Sequence, residues 1–367
     1  MNKDNRENRR PGHLFRYAIL AVIAFLVATL GVALIPREAP APAEPPFSER
    51  ARAAALTETM RLRAAGLQLA DSVSGAERQH YSQTVTLLTT QARALLVPDE
   101  PPAAGPNKST PTASAATGTV PPLPVSAAGL VAGLSASGSQ RIADSQTSDG
   151  GVARLLVSIG TAQLLQAELL ASVAGLPAPA EPTAPPAALP AQTPPSPSCP
   201  PSTPAPPGPS LATALSVAVK TEVETVYGYQ VALTRLSGSA AASAARLLAR
   251  HETAVGEAES HSRLHCVAIP PREAGYTLAP LFLESPAKGL GSLESGTLPV
   301  YGDLVALSSG DTRLWAISNL LNAARRSHLW GADIGPFPGL VLDTAELPEL
   351  QQGSSPPTVQ EQPHTAR

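Results

Sequence analysis

Residues 210–236 read SLATALSVAVKTEVETVYGYQVALTRL, and this stretch decides the fold. Ser210 suits the N-cap of a helix, where its hydroxyl accepts from a backbone N–H that has no partner in the first turn. Behind it, Leu211, Leu215, Val219, position 222, Val226, Tyr229, Leu233 and Leu236 recur at spacings of three and four, the mark of one helix face. Position 222 is Glu. A carboxylate inside an apolar stripe is costly to bury unless it is paired or bound to a cation. Glu224 projects about 200° away and is expected in solvent.

Three further helices are expected downstream. The second spans roughly 239–265, with Ala244, Leu247, His251, Ala254 or Val255, Ala258, His261 and His265 along one face. The third covers roughly 287–308, with Leu290, Glu294, Leu298, Tyr301 and Leu304 on one side. Pro299 and Gly302 are expected to kink or interrupt it. The fourth runs from Asp311 as N-cap to about Asp333, with Leu314, Ile317, Leu321, Ala324 and His328 as its stripe. Each stripe offers a Glu or a His at an inward position, which is how metal sites are built inside four-helix bundles. Residues 210–345 also hold 8 of the 13 aromatics, so this domain is expected to be the more rigid part of the chain.

Together these residues resemble the ferritin-like domain of unknown function found in actinobacterial envelope proteins. The resemblance rests on Glu222 with Val226-Tyr227-Gly228-Tyr229, on His251, and on Ile269-Pro270-Pro271 followed by Tyr276-Thr277-Leu278 and Pro280. Glu294, Arg313 and Trp330 continue it, and Phe337-Pro338-Gly339-Leu340 closes it. It covers about residues 211–342. It implies an all-α fold with a ferritin-like four-helix bundle and an exported location, and it brings no established activity.

A di-metal carboxylate centre needs one Glu from each of two helices and a Glu-x-x-His pair from each of the other two. Glu222 and Glu294 suit the single carboxylates, with His251 and His328 as the candidate imidazoles. The pairs are absent. Arg325 stands three residues before His328 and Leu248 three before His251. A cation at position 325 would repel divalent ions and instead suits a buried pair with Glu222 or Glu294. No cofactor is therefore expected, and a di-iron or di-manganese centre is the alternative. His261 and His265 form a second metal candidate, an i, i+4 pair of the kind that binds zinc or copper, with Cys266 adjacent and no third ligand evident. Histidines at a helix end are also stabilised simply by the negative end of the helix dipole. Cys199 and Cys266 are the only cysteines; in an oxidising compartment they are expected to form a disulfide.

Working towards the N-terminus, residues 176–209 form a Pro-rich linker, with 15 prolines between 177 and 209. Such a segment makes neither helix nor sheet interior. Residues 47–175 read as a membrane-proximal helical region of about four Ala/Leu-rich blocks, broken at Ser72–Gly75 and near Asp149–Gly151, either a second bundle or a helical stalk that docks on the C-terminal bundle. Its clearest helix carries Leu155, Ile159, Gln163, Gln166 and Leu170 near one face, and His80 and Tyr81 are expected at its surface or boundary. A Pro-rich tether, 36–46, precedes it.

Residues 17–35, YAILAVIAFLVATLGVALI, carry no charge and span about 28 Å, the thickness of a bilayer core. The basic residues of 1–16 place that tail in the cytoplasm and the bulk of the chain outside. A cleaved signal peptide is the competing reading, although the prolines in Ala39-Pro40-Ala41 and Ala41-Pro42-Ala43 spoil both cleavage sites. The tail 346–367 reads as disordered.

Two cysteines exclude a disulfide-dense scaffold, and a net charge of −3 argues against nucleic acid as a partner. No phosphate loop and no nucleophile elbow is present. The expected function is thus a membrane-anchored extracytoplasmic module, non-catalytic, that binds or supports the cell envelope. The lipid bilayer is met through 17–35, and another envelope protein is the expected partner class. The alternative is a metal-binding oxidase or iron-handling protein.

Overall fold

A computed structural model describes residues 17, 19–22, 25, 44–96, 123, 125–180, 199 and 208–350. All regular structure among them is helical, and none of them is in a strand. From Phe47 the helices are α1 (Phe47–Ser72), α2 (Gly75–Leu95), α3 (Ala127–Ser145), α4 (Gly150–Val173), α5 (Leu211–Leu233), α6 (Gly238–Leu264), α7 (Pro280–Glu284), α8 (Pro286–Leu307) and α9 (Gly310–Leu329). Consecutive helices pair as hairpins: α1 with α2, α3 with α4, α5 with α6, and α8 with α9. The first two hairpins meet through α1 and α3, the last two through α5 and α8.

The described residues from Pro46 onward form one compact unit. Its two helical halves are not independent, because α4 packs on α8 and α9. One continuous core takes Ile142, Ala153, Val157 and Leu164 from the first half and Leu215, Val219, Tyr301, Leu304, Trp315 and Leu320 from the second. α4 is apolar nearly all round, as a central helix must be. It is the one described helix long and apolar enough to cross a membrane, and 72% of that stretch is buried inside the fold. It crosses α3 with backbone against backbone: a Cβ on Gly138 would lie 2.8 Å from the Gly160 carbonyl oxygen, and one on Gly160 would lie 2.7 Å from that of Gly138.

Charged side chains also join the halves. Arg313 of α9 donates from Nη1 to the carbonyls of Ser148 (2.7 Å) and Gln146 (3.2 Å) beyond the end of α3. Arg154 of α4 donates to the Gly339 carbonyl at 2.8 Å and to Asp303 of α8 at 2.5 Å. Phe337 reaches back to fill a cluster of Ala51, Ala55, Leu95, Leu156 and Ile159. The Cys199–Cys266 disulfide is present and closes a loop of 67 residues, which stabilises by about 4 kcal/mol in the chain-entropy account.

Several expectations are corrected. α8 runs unbroken through Pro299 and Gly302. Gly302 sits there because the Gly339 carbonyl lies where a Cβ would be. α9 is capped by Ser309 rather than Asp311, which lies in the first turn. It stops at Leu329, not near 333, because Gly331 N–H and Ala332 N–H turn back to the carbonyls of His328 and Ser327. Tyr81 is buried rather than at the surface. Of the expected span 17–35, Tyr17, Ile19–Val22 and Phe25 are described; they are helical and exposed. The rest of that span lies outside the described residues, as do the tail 1–16, tether residues 36–43, most of the linker and residues 351–367.

A shared core predicts shared unfolding. Phe337→Ala should lower stability by about 3–5 kcal/mol and loosen α1 and α2 along with the C-terminal half. Urea unfolding followed by hydrogen exchange in both halves checks this. Loss of protection confined to residues beyond 210 would contradict it.

Candidate functional site

The helix faces converge on a buried ionic layer. Glu222 and Tyr229 lie seven residues apart on α5, and Glu294 and Tyr301 lie seven apart on α8, two turns in each case. The two helices are antiparallel, so the pairs engage reciprocally. Tyr301 donates to Glu222 Oε1 at 2.5 Å, and Tyr229 donates to Glu294 Oε1 at 2.6 Å. Between the carboxylates stands His251 of α6, with Nδ1 2.7 Å from Glu222 Oε2 and Nε2 2.9 Å from Glu294 Oε1. Arg326 of α9 donates from Nε to Glu294 Oε2 at 2.8 Å. Trp330 donates to the Tyr229 hydroxyl at 2.8 Å, and the Tyr229 ring lies 5.0 Å from that of His251.

Glu222, His251 and Glu294 are each at most 1% exposed. An ionised carboxylate only accepts hydrogen bonds, so a ring flanked by two of them must donate from both nitrogens. His251 is therefore an imidazolium. Burial alone would push its pKa down, but the hydrogen bonds to Glu222 and Glu294 outweigh it and raise the value to about 9. Burial would likewise raise Glu294; the His251 hydrogen bond and the Arg326 charge hold it below the usual carboxylate value instead. Burial and the neighbouring carboxylates push both tyrosines up, so the phenols keep their protons. Two carboxylates, one imidazolium and one guanidinium cancel in charge, and every hydrogen bond in the layer joins one helix to another.

Glu222, His251 and Glu294 thus come together as the sequence places them, and His328 does not. It is exposed: Ile317, Leu321 and Ala324 of the expected stripe are buried, but in the last turn Ser327 takes the buried place and His328 faces out. The cation on Glu294 is Arg326, not Arg325, which pairs instead with Glu168 of α4 at 2.7 Å. Tyr229, Tyr301, Arg326 and Trp330 are the members sequence reasoning missed as a set. The matching Glu-x6-Tyr spacing on two helices was the available signal. Arg326 carried none, since its place depends on where α9 stops. His261 and His265 lie apart from the layer and share one partner, Thr312 Oγ1, at 3.1 and 2.8 Å. Among the described residues no group of three or more His, Cys, Asp or Glu is arranged to hold a metal ion.

The layer makes stability depend on pH. His251 titrates near 6.5 when unfolded and at about 9 when folded. Its stabilisation is complete below pH 6.5 and is lost as pH rises through 9, on the order of 3 kcal/mol. Glu294, held low, adds stability that fades only as pH falls below the ordinary carboxylate range. The urea midpoint should therefore fall between pH 7 and 10. In His251→Gln it should start lower, by about 3–5 kcal/mol, and change less over that interval. Parallel profiles for the two proteins would contradict the assignment.

No curated protein and no solved structure matches this chain. One family does match, over the segment that carries the ionic layer, both Trp residues and the Phe337 turn. Residues 214–342 match a domain of unknown function, DUF4439.

Proposed function

We propose that the chain is a single-pass membrane protein whose ferritin-like four-helix bundle, formed by α5, α6, α8 and α9, is held outside the cell as a non-catalytic binding or structural module of the envelope. The observation that carries this reading is the position of His251. An imidazolium fills the space between Glu222 and Glu294, the two carboxylates that would otherwise face a cation. The positive charge the bundle needs is thus built into the chain. A group committed by both ring nitrogens to holding two helices is poorly placed to exchange protons with a substrate.

The extracytoplasmic placement rests on different support. The described residues between Tyr17 and Phe25 are apolar, helical and exposed, as a lipid-facing helix would be. The basic residues precede them. The Cys199–Cys266 disulfide suits an oxidising compartment.

Two measurements on the full-length protein test the proposal. Iron and manganese analysis after purification without chelator is expected to find neither in stoichiometric amount. Two equivalents would replace this reading with that of a metal-dependent oxidase or iron-handling protein. Protease treatment of intact cells is expected to cleave beyond residue 38, while an epitope within 1–16 stays protected. The reverse pattern would overturn the topology.

A further inference from the structure

The chain holds only two tryptophans and six tyrosines, and it brings both tryptophans against its two most buried tyrosines. They form two like units. Trp330 donates from Nε1 to the Tyr229 hydroxyl at 2.8 Å, and that hydroxyl donates onward to Glu294 Oε1 at 2.6 Å. Trp315 meets Tyr301 edge-on, with ring centres 5.6 Å apart, and Tyr301 donates to Glu222 Oε1 at 2.5 Å. Trp315 gives its own N–H to Glu257 at 2.8 Å. His251 joins the units through its contacts with Glu222 and Glu294.

Both cysteines are in the disulfide, so tryptophan and tyrosine are the side chains of this chain that give up one electron most readily. A phenol that loses an electron becomes a far stronger acid than any carboxylic acid. A buried tyrosine is therefore oxidised only where a base stands ready to take its proton. Tyr229 and Tyr301 each already donate to a carboxylate, in a short charge-assisted bond. The Tyr229 oxygen accepts from Trp330 whether or not it carries its own proton, so the indole keeps its N–H. Ring centres 6.4 Å apart in this unit and 5.6 Å in the other put each tryptophan in electron-transfer contact with its tyrosine. Trp330, 9% exposed, is the member that reaches the surface; Trp315, 2% exposed, lies under the His261 ring. Tyr81, also buried, lacks this setting: Glu77 is 3.4 Å away, and no aromatic ring contacts it among the described residues.

We propose that the two units are a one-electron relay, in which an oxygen-centred radical of the peroxide-derived class takes an electron at Trp330 and the oxidising equivalent comes to rest on Tyr229. The oxidant becomes its anion and Trp330 a radical cation. Tyr229 then gives its electron to Trp330 and its proton to Glu294, which restores the indole and leaves a neutral tyrosyl radical beside a protonated carboxyl. A thiolate returns the electron, becoming a thiyl radical, and Glu294 returns the proton. Trp315, Tyr301 and Glu222 repeat the arrangement from the other end of the layer. The relay moves an oxidising equivalent from the surface to a shielded place. It goes beyond the structural role of the layer and does not depend on the membrane topology.

Oxidation of the full-length protein by a photogenerated ruthenium(III) polypyridyl complex, followed by freeze-quenching, tests this. Electron paramagnetic resonance is expected to show a neutral tyrosyl radical whose g-tensor reports hydrogen bonds to its oxygen. Its formation should slow in deuterium oxide, because an O–H bond breaks in the step. Both readings are taken on the unaltered protein, so neither needs a variant to fold. Trp330→Phe should slow formation of the radical. Tyr229→Phe combined with Tyr301→Phe should abolish the hydrogen-bonded signal, and Tyr81→Phe should leave it unchanged. Absence of a tyrosyl radical, a spectrum without hydrogen bonds to the oxygen, equal rates in the two waters, or a signal that survives the double variant would overturn the proposal.

Discussion

The second half of this fold depends on one imidazolium held between two carboxylates. Glu222, His251 and Glu294 come from three different helices, and the fourth supplies Arg326. Buried charges of this kind give little net stability, because their attraction is largely spent on leaving water. Their effect lies elsewhere. Any slip of α5 against α8 by one residue would rotate a carboxylate away from His251 and leave a charge unpaired in an apolar interior, which is far costlier than a mismatched leucine. The reciprocal Glu–Tyr pairs repeat that constraint at two heights along the same two helices. The apolar stripes drive the helices together, and the ionic layer selects one register among the many those stripes would tolerate.

The first half solves the same problem with neutral groups. Gln163 of α4 donates to Gln91 of α2 at 3.1 Å and to Thr59 of α1 at 3.4 Å. Gln91 in turn donates to the Pro336 carbonyl at 3.1 Å. Amides lose less on leaving water than ions do, but they also punish a wrong register less. The contact with Pro336 matters more widely, because it lies beside Phe337 in the segment that closes the matched domain. That segment finishes its turn against α1, α2 and α4 as well as against α8 and α9 of its own half. The domain boundary drawn by family resemblance therefore cuts through a packed core. α1, α2 and α4 supply part of the surface on which residues 336–340 fold.

Helix positions were readable from the chain because each stripe has a clean period and each break has its own punctuation. Gly75 and Asp149-Gly150 mark starts that the structure reproduces. Glu222, His251 and Glu294 were readable as inward groups for the same reason: each interrupts an apolar face. His328 was misplaced because a stripe read over twenty residues fixes the average face and not its last turn. The end of α9 is set by backbone hydrogen bonds at Gly331 and Ala332, and the turn rotates Ser327 inward and His328 out. Pro299 signalled a break that tertiary packing overrode, as packing on both faces of α8 keeps the helix intact around one missing hydrogen bond. Docking of the first half on the second was legible only as an alternative to two separate bundles. Pairing between helices a hundred residues apart leaves no local periodicity, and a Pro-rich linker between them suggests separation whether or not their surfaces meet.

That linker looks different once the disulfide is placed. A segment with so many prolines would be a poor constraint by itself, since its two ends are far apart in any extended form. Cys199 pins it to the end of α6, so its last part is tied to the C-terminal half before α5 begins. The same bond anchors the turn after His265, where Cys266 takes a left-handed backbone conformation (φ 56°) that a residue with a side chain adopts only under constraint. The end of α6 is therefore held from three directions: by the disulfide, by Thr312 through both histidines, and by Trp315 against His261. His251 secures the middle of the same helix to α5 and α8. α6 is thus the element through which the linker, the ionic layer and α9 constrain one another.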